Sequence, residues 1–253
     1  MCDLAGRVAI VTGASGNLGP AWISALAGAG AIVIAIDIQS GQPPEGAAAL
    51  ERADVTDRAA VQAVLDNVLE RYGVPHVLVN NAGLDLPPTP GARGAAIKDI
   101  AIEDFRRVVD VNLVGTFNVT AVVGSAMADA GRGSIVSIGS LYASIAPIPA
   151  LYDHMDPPFL KPPAYGASKA GLVQLTKYFA RLWGPRDVRV NALSPGGIRG
   201  AQDPRFAEKF SARVALGRLG EVSELAGPLL FLASDASCYV SGQDLRVDGG
   251  FTA

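Results

Sequence analysis

Short runs of apolar, β-branched residues alternate along the chain with longer stretches whose apolar positions recur at helical spacing. RVAIVTG (Arg7–Gly13), AIVIAID (Ala31–Asp37), HVLVNNAG (His76–Gly83), GSIVSIGS (Gly133–Ser140) and VRVNALSPG (Val188–Gly196) predict strands. A third strand is expected just ahead of Asp54, and a last one within QDLRVDGG. Helical spacing follows the first strand through Leu26 and returns over Ala59–Arg71, Ile102–Ala130, Ala164–Leu182 and Glu224–Leu232. Strands apolar on both faces belong in a parallel sheet covered by helices on both sides. The alternation therefore predicts an α/β fold: a single doubly wound domain spanning residues 1–253.

Three stretches interrupt the rhythm: Leu86–Gly94, Pro147–Pro163 and Pro195–Phe206. Each comes after the carboxyl end of a predicted strand, where open α/β sheets bind ligands. The second is rich in proline and is expected to be an ordered, non-helical loop within an extended substrate segment, 141–164.

Composition narrows the class. With 253 residues, 49% hydrophobic and only 18% charged, the chain has material for a full core and is neither a disordered nor a disulfide-stapled sequence. A formal charge of −3 without clustered basic residues argues against a nucleic-acid partner. Cys2 and Cys238 imply no disulfide framework and have no metal-ligand company nearby. The apolar stretch Ala25–Ile36 is too short to span a bilayer, and MCDLAGR lacks the basic start of a signal peptide. A cytoplasmic protein with no membrane partner is expected.

The chemistry begins at TGASGNLG (Thr12–Gly19), where a strand turns into a helix. Gly13 and Gly16 permit backbone angles closed to other residues, Gly19 permits close packing, and free amides at a helix start attract a pyrophosphate. A merely structural turn would look the same. Asp37 ends the second strand roughly 20 residues on, where a carboxylate binds the adenosine ribose hydroxyls and repels a 2′-phosphate. No Lys or Arg occupies residues 14–17 or 38–39 to offset that repulsion, so NAD is favoured over NADP. A solvated strand-end aspartate is the bland alternative. Asp54 and Val55 could meet an adenine, and the small residues of NNAG (Asn80–Gly83) a ribose, although ordinary turns account for both.

Tyr165 and Lys169 stand at i, i+4 spacing and project from one helix face. A free tyrosine, with a pKa of about 10, is a poor base at neutral pH, and a nearby ammonium draws it down. Such a pair also arises by chance. Ser140 closes the preceding strand and could hold a substrate oxygen against the tyrosine. Asn112 sits within the long Ile102–Ala130 helix, where its poor helix propensity suits a bend or a water anchor as well as simple exposure.

Taken in order, TGASGNLG, NNAG, Asn112, Ser140, YGASK and SGQDLRVDGG resemble the short-chain dehydrogenase/reductase family over nearly the whole chain. The resemblance implies a Rossmann-type sheet and a nicotinamide cofactor, NAD. It implies a catalytic group of Asn112, Ser140, Tyr165 and Lys169: Tyr165 exchanging a proton with the substrate oxygen, Lys169 binding the nicotinamide ribose and lowering the tyrosine pKa, Ser140 orienting the substrate, and Asn112 supporting a water relay. The cofactor residues it implies are Gly13, Ser15, Asn17, Leu18, Gly19, Asp37, Ile38, Asp54, Val55, Asn81, Ala82, Gly83, Tyr165, Lys169, Pro195, Gly196 and Ile198. Homo-oligomers, tetramers or dimers built on the two long helices and the C-terminal strand, are also implied.

The chain departs from the family at Asn17, where glycine is usual, and at Gly200, where a threonine usually meets the carboxamide, leaving that anchor to Ile198 backbone groups. The interval from Ser140 to Tyr165 is longer than the family's and carries Tyr152, Asp153, His154, Asp156 and Lys161, donors and acceptors suited to a polyhydroxylated or charged small molecule. His154 is expected to contact substrate at most; His76, Trp22 and Trp183 read as structural. The expected function is hydride transfer between NAD(H) and a secondary alcohol or ketone, small and polar or sugar-like. An NADPH-dependent ketone reductase and a non-catalytic dinucleotide-binding scaffold are the alternatives.

Overall fold

A computed structural model describes residues 2–86, 97–156 and 159–253. Seven strands form one parallel sheet: β1 (Val8–Thr12), β2 (Ile32–Asp37), β3 (Ala47–Arg52), β4 (Val77–Asn80), β5 (Gly133–Ile138), β6 (Val188–Pro195) and β7 (Asp244–Val247). Their spatial order is β3-β2-β1-β4-β5-β6-β7, which bears out the doubly wound Rossmann-type expectation. The order reverses between β1 and β4, and a crevice opens beyond the carboxyl ends of the strands at that switch point.

The helices are α1 (Gly19–Gly28), α2 (Arg58–Tyr72), α3 (Ile102–Val109), α4 (Thr116–Asp129), α5 (Pro163–Trp183), α6 (Pro204–Ser211) and α7 (Ala226–Ala233). Two apolar layers fill the faces of the sheet. One holds Val8, Ile10, Ile34, Leu78 and Ile135 against Val64, Val68, Val123 and Phe179. The other holds Ala9, Val11, Val33, Val79 and Val136 against Trp22, Leu26, Leu229 and Leu232. Alternate residues of each strand thus enter opposite cores, as a sheet buried on both sides requires.

The expected helix Ile102–Ala130 is α3 and α4 joined by a π-helical segment, Asp110–Gly115, with Asn112 inside it. Over Ile102–Asp129 the most apolar window has a mean hydropathy of 1.4, more than enough by composition to cross a membrane. Its window is 61% buried against the sheet, α2 and α5, and that packing accounts for its apolar character. β3 is an alanine-rich strand at the sheet edge with little β propensity of its own, formed by pairing with β2.

The expected loop Pro195–Phe206 contains the start of α6. Asp203 caps it by accepting from the Arg205 amide at 2.8 Å, and Pro204 occupies the first turn. The proline-rich segment does form a non-helical path apart from a short 3-10 turn at Pro149–Leu151, with Pro157 and Pro158 outside the described residues. It has a core of its own: Leu151 and Tyr152 are buried with Leu141, Phe210, Val214 and Leu219. Past Leu86, the stretch expected to reach Gly94 lies outside the described residues.

Candidate active site

The glycine turn is held by its neighbours at close quarters. Gly13 has φ +63°, and a Cβ there would come within 2.6 Å of the Ala82 Cα, so only glycine lets β1's turn lie against the end of β4. The Asn81 amide fixes the same contact. Its Nδ2 donates to the Thr12 and Gly13 carbonyls at 3.1 and 2.8 Å, and its Oδ1 accepts from the Trp22 indole at 2.8 Å. Asn81 therefore acts on the crevice by bracing the turn, and Trp22, read from sequence as packing alone, is a polar partner in that brace.

Helix α1 has no side-chain cap at Leu18 and no carboxylate in its first turn, and Pro20 lies in that turn where its missing N–H costs little. The open helix start beside Asn17 and Leu18 suits a phosphate. The Ser15 amide donates to Asp37 Oδ2 at 2.9 Å, joining the glycine turn to the end of β2. Asp37 is buried at the tip of β2, and its Oδ1 accepts from the Gln39 amide at 3.0 Å. Both oxygens are oriented by backbone donors and keep lone pairs for ribose hydroxyls.

Asp54 is exposed and its Oδ1 accepts from the Thr56 amide and hydroxyl at 2.8 and 2.7 Å, making it a turn former as well as an adenine candidate. Val55 is buried against Gly115, where a Cβ would meet its Cγ2 at 2.6 Å. Ile38, which follows Asp37, is exposed. Sequence reading found no basic residue near Asp37, but the β2–β3 register pairs Asp37 with Arg52, whose Nε donates to the Ile38 carbonyl at 3.1 Å.

Tyr165 and Lys169 lie in the first turns of α5, with the Lys169 Nζ 5.8 Å from the centre of the Tyr165 ring. Lys169 is buried and donates to the Ile138 carbonyl at 2.6 Å, leaving two N–H bonds for a ligand. The Gly83 backbone runs beside it, with space for a Cβ only 3.6 Å from Nζ. Burial lowers the Lys169 pKa to about 8. Burial, reinforced by the Asp85 carboxylate, pushes the Tyr165 phenol up to about 12, while the Ser140 hydroxyl pulls it down. In the protein alone, desolvation sets the direction at Tyr165, opposite to the lowering expected from Lys169.

Ser140 follows β5, and its Oγ accepts from the Tyr142 amide at 3.2 Å. Asn112 is fully buried, but its side chain is already occupied. Oδ1 accepts from the Leu84 amide at 2.7 Å, and Nδ2 donates to the Leu84 carbonyl and Ser168 Oγ at 2.9 and 3.1 Å. Its side chain clamps the chain leaving β4 beside Lys169. The π-helical segment is the local distortion that turns it there.

Beyond β6, Pro195 and Gly196 lead to Ile198, whose carbonyl accepts from Gln202 Nε2 at 2.6 Å while Gln202 Oε1 accepts from the Gly200 amide at 2.7 Å. The strap closes on itself through Gln202, which holds the Ile198 backbone in place beside the end of β6. Among the loop residues, Tyr152 packs on Phe159 and Phe206 with centroids 5.3 Å apart, Asp153 pairs with Lys209, and His154 Nε2 lies 3.7 Å from Asp203. These three face α6, the ring nitrogens of His154 are buried without a hydrogen-bond partner, and Asp156 is exposed. Lys161 lies over the Tyr165 ring, 5.2 Å from its centre, and Tyr142 meets the same ring edge-on at 6.4 Å. Among the described residues no His, Cys, Asp or Glu group could hold a metal.

The glycine cradle, the helix start and the oriented Asp37 fit a nicotinamide dinucleotide, and the chain's relatives agree with that fit. Residues 13–252 match the family model described as enoyl-(acyl carrier protein) reductase. The chain is 36% identical to D-threitol dehydrogenase of Mycolicibacterium smegmatis, over 98% of this chain and 94% of that protein. A short-chain dehydrogenase from Leptospira borgpetersenii with bound NAD+ superposes with a TM-score of 0.88 at 32% identity, covering 99% of this chain and 94% of the other. A gluconate 5-dehydrogenase from Burkholderia cenocepacia, in complex with NADP and tartrate, gives 0.84 at 31%, covering 99% and 97%. With its fold, motif order and relatives in agreement, the chain belongs to the short-chain dehydrogenase/reductase family, whose oxidoreductases act on CH–OH groups with a nicotinamide dinucleotide.

Proposed function

We propose that this enzyme transfers hydride between NAD(H) and the carbinol carbon of a small polar or sugar-like secondary alcohol, as a cytoplasmic homo-oligomer, tetramer or dimer. The observation that carries the reading is the buried Lys169 ammonium 5.8 Å from the Tyr165 ring, at the carboxyl edge of the sheet. When bound, the dinucleotide supplies the hydride acceptor or donor. Tyr165 Oη takes the proton from the alcohol oxygen in oxidation as a phenolate and gives it to the carbonyl oxygen in reduction as a phenol. Ser140 holds that oxygen by hydrogen bonding, and the two spare N–H bonds of Lys169 hold ribose hydroxyls. Asn112 keeps the Leu84 backbone in place beside them. A phenol pushed up to about 12 stays protonated at neutral pH and serves directly as the acid of carbonyl reduction.

The buried Asp37 carboxylate supports NAD as the cofactor. Arg52 beside Ile38 favours the second reading, NADPH-dependent ketone reduction. Tyr165→Phe tests the chemistry: NADH binding should persist while turnover disappears, and retained turnover eliminates the acid–base role. Titration of the wild type with NADH and NADPH tests the cofactor, and equal affinities defeat the argument from Asp37.

A further inference from the structure

Lys161 belongs to the long loop and is not needed to assemble the catalytic group, yet its side chain is only 7% exposed. Its Nζ donates to Asp85 Oδ2 at 2.5 Å. It lies 5.2 Å from the Tyr165 ring centre, closer than Lys169, and 5.9 Å from that of Tyr142. A second ammonium therefore lies over the Tyr165 ring, with its carboxylate partner supplied by the chain just beyond β4.

Burying an ammonium is costly unless it is paired, and a loop latch of this kind could be made as well from apolar side chains. The pair has spare hydrogen-bonding capacity with no net charge. Lys161 retains two N–H donors after its bond to Asp85. Asp85 Oδ1 accepts from the Leu86 amide at 2.8 Å, and both carboxylate oxygens keep lone pairs. A hydroxyl donates and accepts at once, so an alcohol group can bridge this donor–acceptor edge. An anionic substituent would meet Asp85, and a cationic one Lys161 and Lys169.

We propose that Lys161 and Asp85 form a subsite for the hydroxyl vicinal to the reacting carbinol, selecting neutral vicinal diols and polyols over simple secondary alcohols and hydroxy acids. The proposal rests on Tyr165 marking the reacting oxygen. It assigns the extra loop a task in specificity: Tyr152, Asp153 and His154 anchor it to α6, and Lys161 projects from it to the reacting centre.

The test compares butan-2-ol, butane-2,3-diol and 3-hydroxybutanoate with the wild type, Lys161→Met and the near-isosteric Asp85→Asn. Turnover is followed with NAD+ in excess, and binding by saturation-transfer NMR in the presence of NADH. The wild type should prefer the diol over butan-2-ol by about tenfold in kcat/KM, a preference expressed in KM. In either variant the ratio should collapse toward one. Equal losses for both alcohols, or a wild-type preference for 3-hydroxybutanoate, overturn the proposal. If no alcohol reacts but NMR shows diol binding that disappears in Lys161→Met, the subsite stands and the enzymatic reading falls. Diol binding indifferent to both substitutions sinks the subsite whatever the turnover.

Discussion

The Trp22 indole N–H donates to Asn81 Oδ1 at 2.8 Å, tying the buried face of α1 to the end of β4. Through the same amide, Asn81 holds the carbonyls of Thr12 and Gly13, so one side chain joins three pieces of the cofactor crevice. Trp22→Phe retains an aromatic ring in the core but strips the acceptor of its donor. The loss should destabilise the protein by about 1–3 kcal/mol in urea unfolding. It should also raise the Kd for NADH, with kcat changing less than KM for the dinucleotide. An unchanged Kd would confine this bond to stability.

Asp37 and Arg52 stand side by side across β2 and β3 with opposite charges. Asp37→Ser should strengthen NADPH binding by about tenfold, since repulsion of a 2′-phosphate is removed while a guanidinium remains nearby. Adding Arg52→Ala should reverse most of that gain. Fluorescence titration of the single and double variants decides it. An Arg52 substitution without effect on NADPH removes the residue from cofactor choice.

Lys169 gives the enzyme a pH signature. Its ammonium is held down to about 8, against an ordinary value of 10.5, and the unfolded chain therefore binds that proton more tightly than the native one. Stability from this group rises with pH above about 8 and gains nothing below it. Tyr165, raised to about 12, opposes the trend from pH 10 upward because the native phenol keeps a proton that the unfolded chain releases. Between pH 8 and 10 the unfolding free energy of the wild type should climb by about 2 kcal/mol relative to Lys169→Met. Carbonyl reduction should decline over the same range as the ammonium loses its charge, and stopped-flow rates across pH 6–10 check this.

The docked loop makes a separate prediction. Leu151 is fully buried in the small core between loop and α6. Leu151→Ala should cost about 2–5 kcal/mol if that core unfolds with the rest. The readout specific to the loop is a fall in kcat/KM for the alcohol without change in the Kd for NADH. Parallel losses in both would place the damage in the whole fold.

Much of this was legible in the sequence because the signals are local. Gly13 needs its positive φ whatever surrounds it, β-branched runs specify buried strands, and the i, i+4 pair Tyr165 and Lys169 must share a helix face. Those facts determined the parallel sheet, the crevice and the candidate pair on one helix face. Helix α6 could also have been found, from the Asp203–Pro204 start signal that the glycines around it obscured.

What the tertiary structure alone decided concerns contacts between segments distant in the chain. Arg52 comes beside Asp37 only through the register of β3 on β2, and Lys161 meets Asp85 only once the long loop has folded back over Tyr165. Only packing shows what the side chains of Asn112 and Asn81 hold together: Leu84 and Ser168 for the first, Thr12, Gly13 and Trp22 for the second. The elevated Tyr165 pKa belongs with these: composition names a phenol and an amine, but burial sets which protonation states they hold. Local backbone preference and side-chain periodicity are written residue by residue, whereas desolvation and hydrogen-bond competition exist only after the chain has closed around them.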